Sequence, residues 1–199
     1  MAAPFMPPEV RPNLPAGKLD EEIVRLYEEH ATALSRYAAS FAQNQEGARD
    51  AVQEVFLRYF IERRYGRIIG NPRAWLYHVL RNYMLDCHRR VNNREVIDEN
   101  LDHLPSGQQN PERILQSSEI ARELKSVLSE REFECLRLRA EGLDYAEICD
   151  VMGIRIGTVG ALLSRVQKKI RRSAAENPID AAGTAQAIDI LFEKREAYS

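Results

Sequence analysis

The chain of 199 residues is long enough for one medium domain or two small ones, and its hydrophobic fraction of 44% is ordinary for a globular protein. The formal net charge is only −2, so the overall charge identifies no partner and the distribution of charge matters more. Three widely separated cysteines (Cys87, Cys135, Cys149) exclude a disulfide framework and a CxxC metal pair, which fits a reducing compartment. We expect no metal and no cofactor.

The first 18 residues contain five prolines and no uninterrupted apolar core. They predict a flexible lead-in rather than a secretory signal. No apolar run is long enough to span a bilayer, so we expect a soluble cytoplasmic protein that does not insert into a membrane.

Three helices are predicted in the first half, over about 19–41, 47–64 and 71–91. The third has the strongest start signal, because Asn71 is a good N-cap and Pro72 lacks the amide that would be unsatisfied at the first helical position. No segment of the chain shows sustained strand alternation, which predicts an all-α fold.

An acidic linker is predicted over residues 93–112, which contain a Pro-Ser-Gly turn and few apolar residues in their middle. Helices resume at about 112–128. Two capping boxes, Ser129 with Glu132 and Asp144 with Glu147, predict two further helix starts. These helices should end near Gly142 and Gly153, a fourth should span about 156–172, and an amphipathic segment follows Asn177-Pro178.

Residues from Tyr145 onward have the spacing of a helix-turn-helix. Cys149 falls at the tight contact between the two helices, and Gly153 falls at the turn, where a left-handed backbone favours glycine. Ile154, Val159 and Leu163 would complete a small core. A helical hairpin with no DNA role is the alternative interpretation.

The second helix of this motif is basic, with six bases and no acid from Arg155 to Arg172, which suits an anionic groove. Its predicted outward face has small side chains in the first turns and basic side chains further along the helix. The members of this face are Gly157, Ala161, Ser164, Arg165, Lys168 and Arg172. Small residues would let the helix backbone approach the major groove, leaving base contacts to Thr158, Ser164 and Arg165. Alternatively, the helix binds phosphates, and DNA shape contributes to sequence choice.

The second predicted helix carries apolar side chains on an otherwise polar face. That face comprises Asp50, Gln53, Glu54, Leu57 and Ile61. It indicates either a docking surface for another protein or a surface covered by a neighbouring helix of the same domain.

The third predicted helix and its approach combine bases with aromatic residues, which suits single-stranded or partly opened DNA. The bases are Arg63, Arg64, Arg67, Arg73, Arg81, Arg89, Arg90 and Arg94, and the aromatics are Tyr65, Trp75, Tyr77 and Tyr83. Trp75 and Tyr77 could instead be core residues.

Three segments together resemble the extracytoplasmic-function class of bacterial sigma-70 factors. They are DAVQEVF at 50–56, PRAWLYHVLRNYMLDCHRR at 72–90 and the stretch from Leu128 to Arg165, and they occur in the family's order with its linker between. The resemblance spans about 19–173.

The resemblance implies two domains, a region 2 domain that binds core RNA polymerase and the −10 element and a region 4 domain that binds the −35 element. The implied division is 1–18 lead-in, 19–92 region 2, 93–112 linker, 113–173 region 4 and 174–199 C-terminal extension. The implied partners are the clamp helices of the polymerase β′ subunit and promoter DNA, and an anti-sigma factor is a further candidate.

The resemblance also assigns roles to residues. Those expected to dock on polymerase are Asp50, Gln53, Glu54, Leu57 and Ile61. Those expected at a melted −10 element, where a base is flipped out, are Tyr65, Arg67, Asn71, Arg73, Trp75, Arg81, Asn82, Arg89 and Arg90. Those expected at −35 duplex are Arg155, Thr158, Gly160, Ala161, Ser164, Arg165, Lys168 and Arg172. Family members often have Lys or Arg where this chain has Gly160 and Leu162, so Arg165 and Lys168 are expected to carry more of the readout.

Two other functions are weighed against the sigma factor. A dimeric helix-turn-helix regulator with an N-terminal sensor would bind a palindrome without polymerase. An enzyme would need a phosphate loop, a metal set or a nucleophile arrangement, and no such spacing is present, so we expect a non-enzymatic protein.

Overall fold

The computed structural model describes residues 16–41, 45–92 and 124–176, and these residues are helices joined by short connections. The chain divides into two compact units, Met1–His103 (unit 1) and Leu104–Ser199 (unit 2). The all-α, two-domain prediction is confirmed. Among the described residues, no helix is both long enough and apolar enough to cross a bilayer.

Within residues 16–41 and 45–92, unit 1 is a bundle of three helices, α1 (Ala16–Ala39), α2 (Gln45–Arg64) and α3 (Pro72–Asn92), each of which contacts the other two. Fully buried side chains from all three helices form its core, including Leu34, Val55, Leu76 and Leu80. Burying each such side chain stabilises the fold by about 1.5–3 kcal/mol, so apolar packing sets the helix positions.

The start of α3 follows its sequence signal. The side-chain oxygen of Asn71 accepts a hydrogen bond from the amide of Ala74 at 3.0 Å, and Pro72 occupies the first helical position. The connection from α2, the 65–71 loop, turns at Gly66, whose φ of 80° lies in the left-handed region. The loop is therefore bounded by a tight turn and a capped helix.

The described part of unit 2, residues 124–176, contains a helical turn at 124–127 and three helices, α4 (Glu130–Ala140), α5 (Tyr145–Met152) and α6 (Ile156–Glu176). Both predicted capping boxes are present, at Ser129 with Glu132 and at Asp144 with Glu147. Gly153 ends α5 in the left-handed conformation, with φ 64° and ψ 38°. The predicted helix-turn-helix is thus α5, Gly153 and α6.

The core of unit 2 lies where α6 packs on α4 and α5. Val159 and Leu163 are buried there, as expected from the motif, whereas Ile154, the third predicted core residue, is only partly buried. Ile148, Val166 and Ile170 are buried as well. Most of the predicted lead-in (1–18) and of the predicted C-terminal extension (174–199) lies outside the described residues, but residues 16–18 belong to α1 and residues 174–176 to α6. The predicted linker at 93–112 lies wholly outside them.

Candidate nucleic-acid interface

The apolar residues on the polar face of α2 are exposed. Leu57 is 52% exposed and Ile61 is 42% exposed, and Asp50 and Gln53 lie beside them on the same face. Glu54 accepts a hydrogen bond from Nε of Arg58 at 2.8 Å. No helix in the described part of unit 1 covers this face.

The 65–71 loop also presents apolar side chains. Tyr65 is exposed, and Ile68 is 85% exposed, the largest value among the exposed large hydrophobic residues of the described chain. Ile68 lies in the segment from Tyr65 to Asn71 that the family resemblance assigns to base reading, but it was not named individually among the predicted site residues. The side chain of Arg67 forms an ion pair with Glu62 at 2.9 Å.

Arg63, predicted from the basic composition as part of the nucleic-acid approach, turns inward instead. Its Nε and Nη2 donate to the two carboxylate oxygens of Glu22 on α1, each at 3.0 Å, and its Nη1 donates to the carbonyl oxygen of Arg67 at 2.9 Å. The hydroxyl of Tyr59 donates to the same carboxylate at 2.6 Å. Arg63 faces inward because the partly buried carboxylate of Glu22 is stabilised by a paired cation.

The hydrogen bonds of this network shift the pKa values of its members. Donation by Arg63 lowers the pKa of Glu22, an effect that burial opposes and the Tyr59 hydroxyl reinforces. Burial, and then the bond to Glu22, raise the pKa of Tyr59. The carboxylate therefore stays ionised and the phenol protonated, which keeps all the bonds intact at neutral pH.

The predicted −10 residues on α3 have different exposures. Asn82 is exposed, with Nδ2 3.0 Å from Nε2 of His78, and Arg89 is exposed beside Asp86 at 3.8 Å. Arg73 and Arg81 are partly buried, and the side chain of Arg90 is not among those that the structure describes.

Trp75 has a packing role. Its ring is partly buried and meets the ring of Tyr59 edge-on, with centroids 5.5 Å apart. Tyr77 is buried, as its core interpretation requires. The same Tyr59 thus contacts Trp75 and the Glu22 carboxylate, linking the packing of α3 to the Arg63 network.

The outward face of α6 is as predicted. Its exposed members are Gly157, Thr158, Ala161, Ser164, Arg165, Lys168 and Arg172, and Arg155, just before the helix, is exposed too. Gly160 is partly buried. A Cβ built on Gly157 or Gly160 would have no neighbour within 4 Å, so packing inside unit 2 does not require glycine at either position.

Two residues of α6 differ from the sequence interpretation. Lys169, one of the six bases, donates from Nζ to Glu132 at 2.8 Å and to the carbonyl of Val127 at 3.2 Å, so it serves the fold. Leu162 is buried, so the absence of a base at this position does not alter the exposed face. The positive charge that this segment offers to DNA is therefore smaller than its count of six bases suggests.

Burial tends to raise the pKa of Glu132, but hydrogen bonds from Lys169 and from Ser129 outweigh it, and the pKa is lowered overall. The carboxylate of Glu132 accepts hydrogen bonds both from the amide of Ser129, at the start of α4, and from Nζ of Lys169 on α6. Glu132 therefore ties the start of one helix to the middle of another.

Two family models match the chain, Sigma-70 region 2 over residues 26–95 and Sigma-70 region 4 over residues 118–170. SigL of Mycobacterium tuberculosis, an ECF RNA polymerase sigma factor, is 30% identical over 158 residues, which cover 76% of this chain and 88% of that protein. The chain belongs to the ECF sigma factors.

SigE of Mycolicibacterium smegmatis, another ECF sigma factor, is also 30% identical, over 171 residues that are 83% of this chain and 65% of that protein. A solved structure, the sigma factor RpoE in complex with the anti-sigma factor NepR from Bartonella quintana, shares the fold with a TM-score of 0.57 and 19% identity. The match covers 90% of this chain and 99% of that one.

Membership of the ECF class explains the order of the two units. Sigma factors are promoter-directing transcription initiation factors, and regions 2 and 4 correspond to unit 1 and unit 2. The uncovered α2 face and the 65–71 loop lie in region 2, and the helix-turn-helix lies in region 4. The structure thus brings the predicted −10 residues into one unit and the predicted −35 residues into the other.

Proposed function

We propose that this ECF sigma factor binds core RNA polymerase and directs it to promoters that contain −10 and −35 elements. Unit 1 holds polymerase and the melted −10 strand, and unit 2 holds intact −35 duplex. The observation that carries the proposal is the presence in one chain of two exposed faces with different chemistry. One is the apolar face on α2, and the other is the small-residue and basic face on α6.

Polymerase docking is assigned to the α2 face. Leu57 and Ile61 are costly to leave in water, and burying them against a partner would supply binding energy at the centre of the contact. Asp50, Gln53 and Glu54 form the polar rim, which favours a partner with basic groups. The expected partner surface is the clamp helices of the β′ subunit.

Capture of a flipped −10 base is assigned to the 65–71 loop and Asn82. A base leaving the stack needs an apolar or aromatic surface and a polar group that reads its edge, and Tyr65, Ile68 and Asn82 offer these. Arg81, Arg89 and Arg90 are proposed to hold phosphates, with Arg67, Asn71, Arg73 and Trp75 shaping the same surface.

The −35 element is assigned to the outward face of α6. Glycine weakens a helix by about 0.5–1 kcal/mol relative to alanine, yet nothing inside unit 2 requires Gly157 or Gly160. This favours the close-approach interpretation, in which a bare helix start enters the major groove and Thr158, Ser164 and Arg165 reach the bases. Lys168 and Arg172 are placed to bind phosphates.

The dimeric regulator is not favoured, because region 2 and region 4 occur together in this chain. We propose a non-enzymatic role that uses no cofactor, in the cytoplasm where polymerase acts. The five-part division at residues 18, 92, 112 and 173 stays a prediction, as does the role of the C-terminal extension.

Run-off transcription with core polymerase over a genomic fragment library tests the proposed function. We expect initiation that depends on this chain, from start sites that share two upstream sequence elements. A dimeric regulator would instead retain palindromic fragments without polymerase and would yield no new transcripts from core enzyme.

An anti-sigma factor is proposed as a second protein partner. The support is the solved sigma factor of the same fold, which is bound to an anti-sigma factor. The test is competition, because such a partner should bind the full chain and reduce its assembly with core polymerase. Binding that leaves assembly unchanged would argue against inhibition.

A further inference from the structure

The network around Arg63 joins three parts of unit 1. Glu22 lies on α1, Tyr59 and Arg63 lie on α2, and the acceptor carbonyl belongs to Arg67 in the 65–71 loop. Glu22 and Arg63 are 41 residues apart in sequence, so this contact exists only in the folded unit. It lies at the end of α2, where the chain leaves the helix for the loop.

The ion pair at the centre of this network is geometrically well defined. The side chains of Arg63 and Glu22 are only 15% and 18% exposed, and Nε of Arg63 donates to one carboxylate oxygen while Nη2 donates to the other. A bidentate contact of this kind fixes the orientation of the guanidinium plane as well as its distance from the carboxylate. The third donor, Nη1, is then aimed at the Arg67 carbonyl rather than at water.

The anchored carbonyl lies between the side chains that the loop presents. Arg67 is flanked by Gly66 and Ile68, and Tyr65 begins the loop. The amide of Arg67 also donates to the carbonyl of Glu62 at 3.0 Å, so both polar groups of this peptide segment are held from α2. The middle of the loop is fixed, while Tyr65 and Ile68 point into solvent.

We propose that Glu22, with Tyr59 and Arg63, is a positioning unit that presets the 65–71 loop for base capture, without contacting DNA. The inference rests on the proposed function of that loop. An unanchored loop would lose conformational freedom on binding, and this loss would oppose recognition of the flipped base. The anchor removes part of that cost before DNA arrives, so its effect should appear as base discrimination rather than as polymerase binding.

The test compares Glu22→Gln with Glu21→Gln in the full chain assembled with core polymerase. Both variants remove one negative charge from the same turn of α1, but Glu21 is exposed. The DNA probe is a fork with a single-stranded non-template −10 segment from a promoter found in the run-off assay. It is compared with forks that carry each other base at the flipped position.

Glu22→Gln is expected to lower the preference for the correct base by about threefold to tenfold, the range that the net contribution of one ordinary hydrogen bond allows. It should also speed hydrogen exchange in residues 65–71, while the affinity for core polymerase stays unchanged. Glu21→Gln should behave like the parent chain in all three measurements.

Unchanged discrimination and unchanged loop exchange in Glu22→Gln would overturn the inference. So would an equal loss of polymerase binding and of protection throughout unit 1, because that pattern marks a purely structural role. Tyr59→Phe removes one hydroxyl only and should give the same pattern, more weakly, if Glu22→Gln does not fold. If the parent chain itself shows no preference at the flipped position, the proposed role of the loop fails too.

Discussion

Arg63 in unit 1 and Lys169 in unit 2 are both bases that turn inward to a carboxylate on another helix of their own unit. The partner is Glu22 in the first case and Glu132 in the second. Arg63 is 15% exposed and bidentate, whereas Lys169 is 42% exposed and makes one contact with its carboxylate. Arg63 also donates a hydrogen bond to the carbonyl of Arg67 in the loop. Lys169 also donates one to the carbonyl of Val127, at the end of the helical turn.

The difference follows from what each unit must hold in place. Unit 1 presents a loop, whose backbone needs an external anchor because it has no helical hydrogen bonds of its own. Unit 2 presents a helix, which its own backbone bonds and an apolar stripe already fix. A planar, rigid guanidinium suits the first task, and a flexible ammonium group is sufficient for the second.

The strongest test of this comparison removes apolar packing from unit 2. Leu163→Ala should destabilise unit 2 by roughly 2–5 kcal/mol, because Leu163 is buried between α6 and its neighbours. Hydrogen exchange of α4 and α6 in the full chain measures the loss. The exposed neighbour change Ser164→Ala should remain within about 0.5 kcal/mol of the parent chain. Equal effects would mean that packing does not dominate in unit 2.

The two ion pairs should differ in strength. Arg63→Met should cost unit 1 about 2–3 kcal/mol, because it removes three hydrogen bonds and leaves the partly buried Glu22 carboxylate without its cation. Urea unfolding followed by the fluorescence of Trp75, the single tryptophan of the chain, reports on unit 1.

Lys169→Met should cost unit 2 about 1–2 kcal/mol, because Glu132 is only 4% exposed and loses the single hydrogen bond from its cation, but it keeps the one from the amide of Ser129. Hydrogen exchange of α4 and α6 measures this change. A larger cost for Lys169→Met than for Arg63→Met would reverse the comparison.

Acid should weaken both pairs. The folded-state pKa values of Glu22 and Glu132 lie below 4.5, the ordinary value. Their stabilisation is therefore complete above the unfolded-state pKa and is lost as the pH falls through the folded-state pKa. Titration of the side-chain carboxyl carbons by NMR measures both groups. In Arg63→Met the midpoint of Glu22 should rise, and a midpoint that stays low would show that Arg63 is not the main cause.

The smallest expected change concerns the first turns of α6, which include Gly157, Gly160 and Ala161. Gly160→Ala should stabilise the helix by about 0.5–1 kcal/mol, because the new methyl group meets nothing within unit 2. The same change should weaken binding of −35 duplex if the helix backbone lies close to DNA. Fluorescence anisotropy with the polymerase holoenzyme measures the affinity. Unchanged affinity would favour the interpretation based on phosphates and DNA shape.

Local signals in the sequence were sufficient for most helix boundaries. The capping boxes at Ser129 and Asp144, the N-cap at Asn71 and the turn at Gly153 all depend on residues within about one helical turn of each other. Their geometry is decided by backbone chemistry rather than by the rest of the fold, which is why short patterns predicted it.

Contacts between distant residues could not be predicted in this way. Arg63 and Lys169 find their carboxylates 41 and 37 residues away, and a count of bases treats both as available to DNA. Leu162 lies on the buried side of α6, although family comparison alone suggested a DNA-facing position. Ile68 was missed because the exposure of an isoleucine depends on what the fold places beside it.

The central claim is that the two units divide promoter recognition between them, and run-off transcription over a randomised promoter library tests it most directly. The claim predicts that Asn82→Ala changes base preference in the −10 element alone and that Arg165→Gln changes preference in the −35 element alone. It would be contradicted if either substitution altered both elements equally, or if neither altered any preference while transcription still depended on the chain.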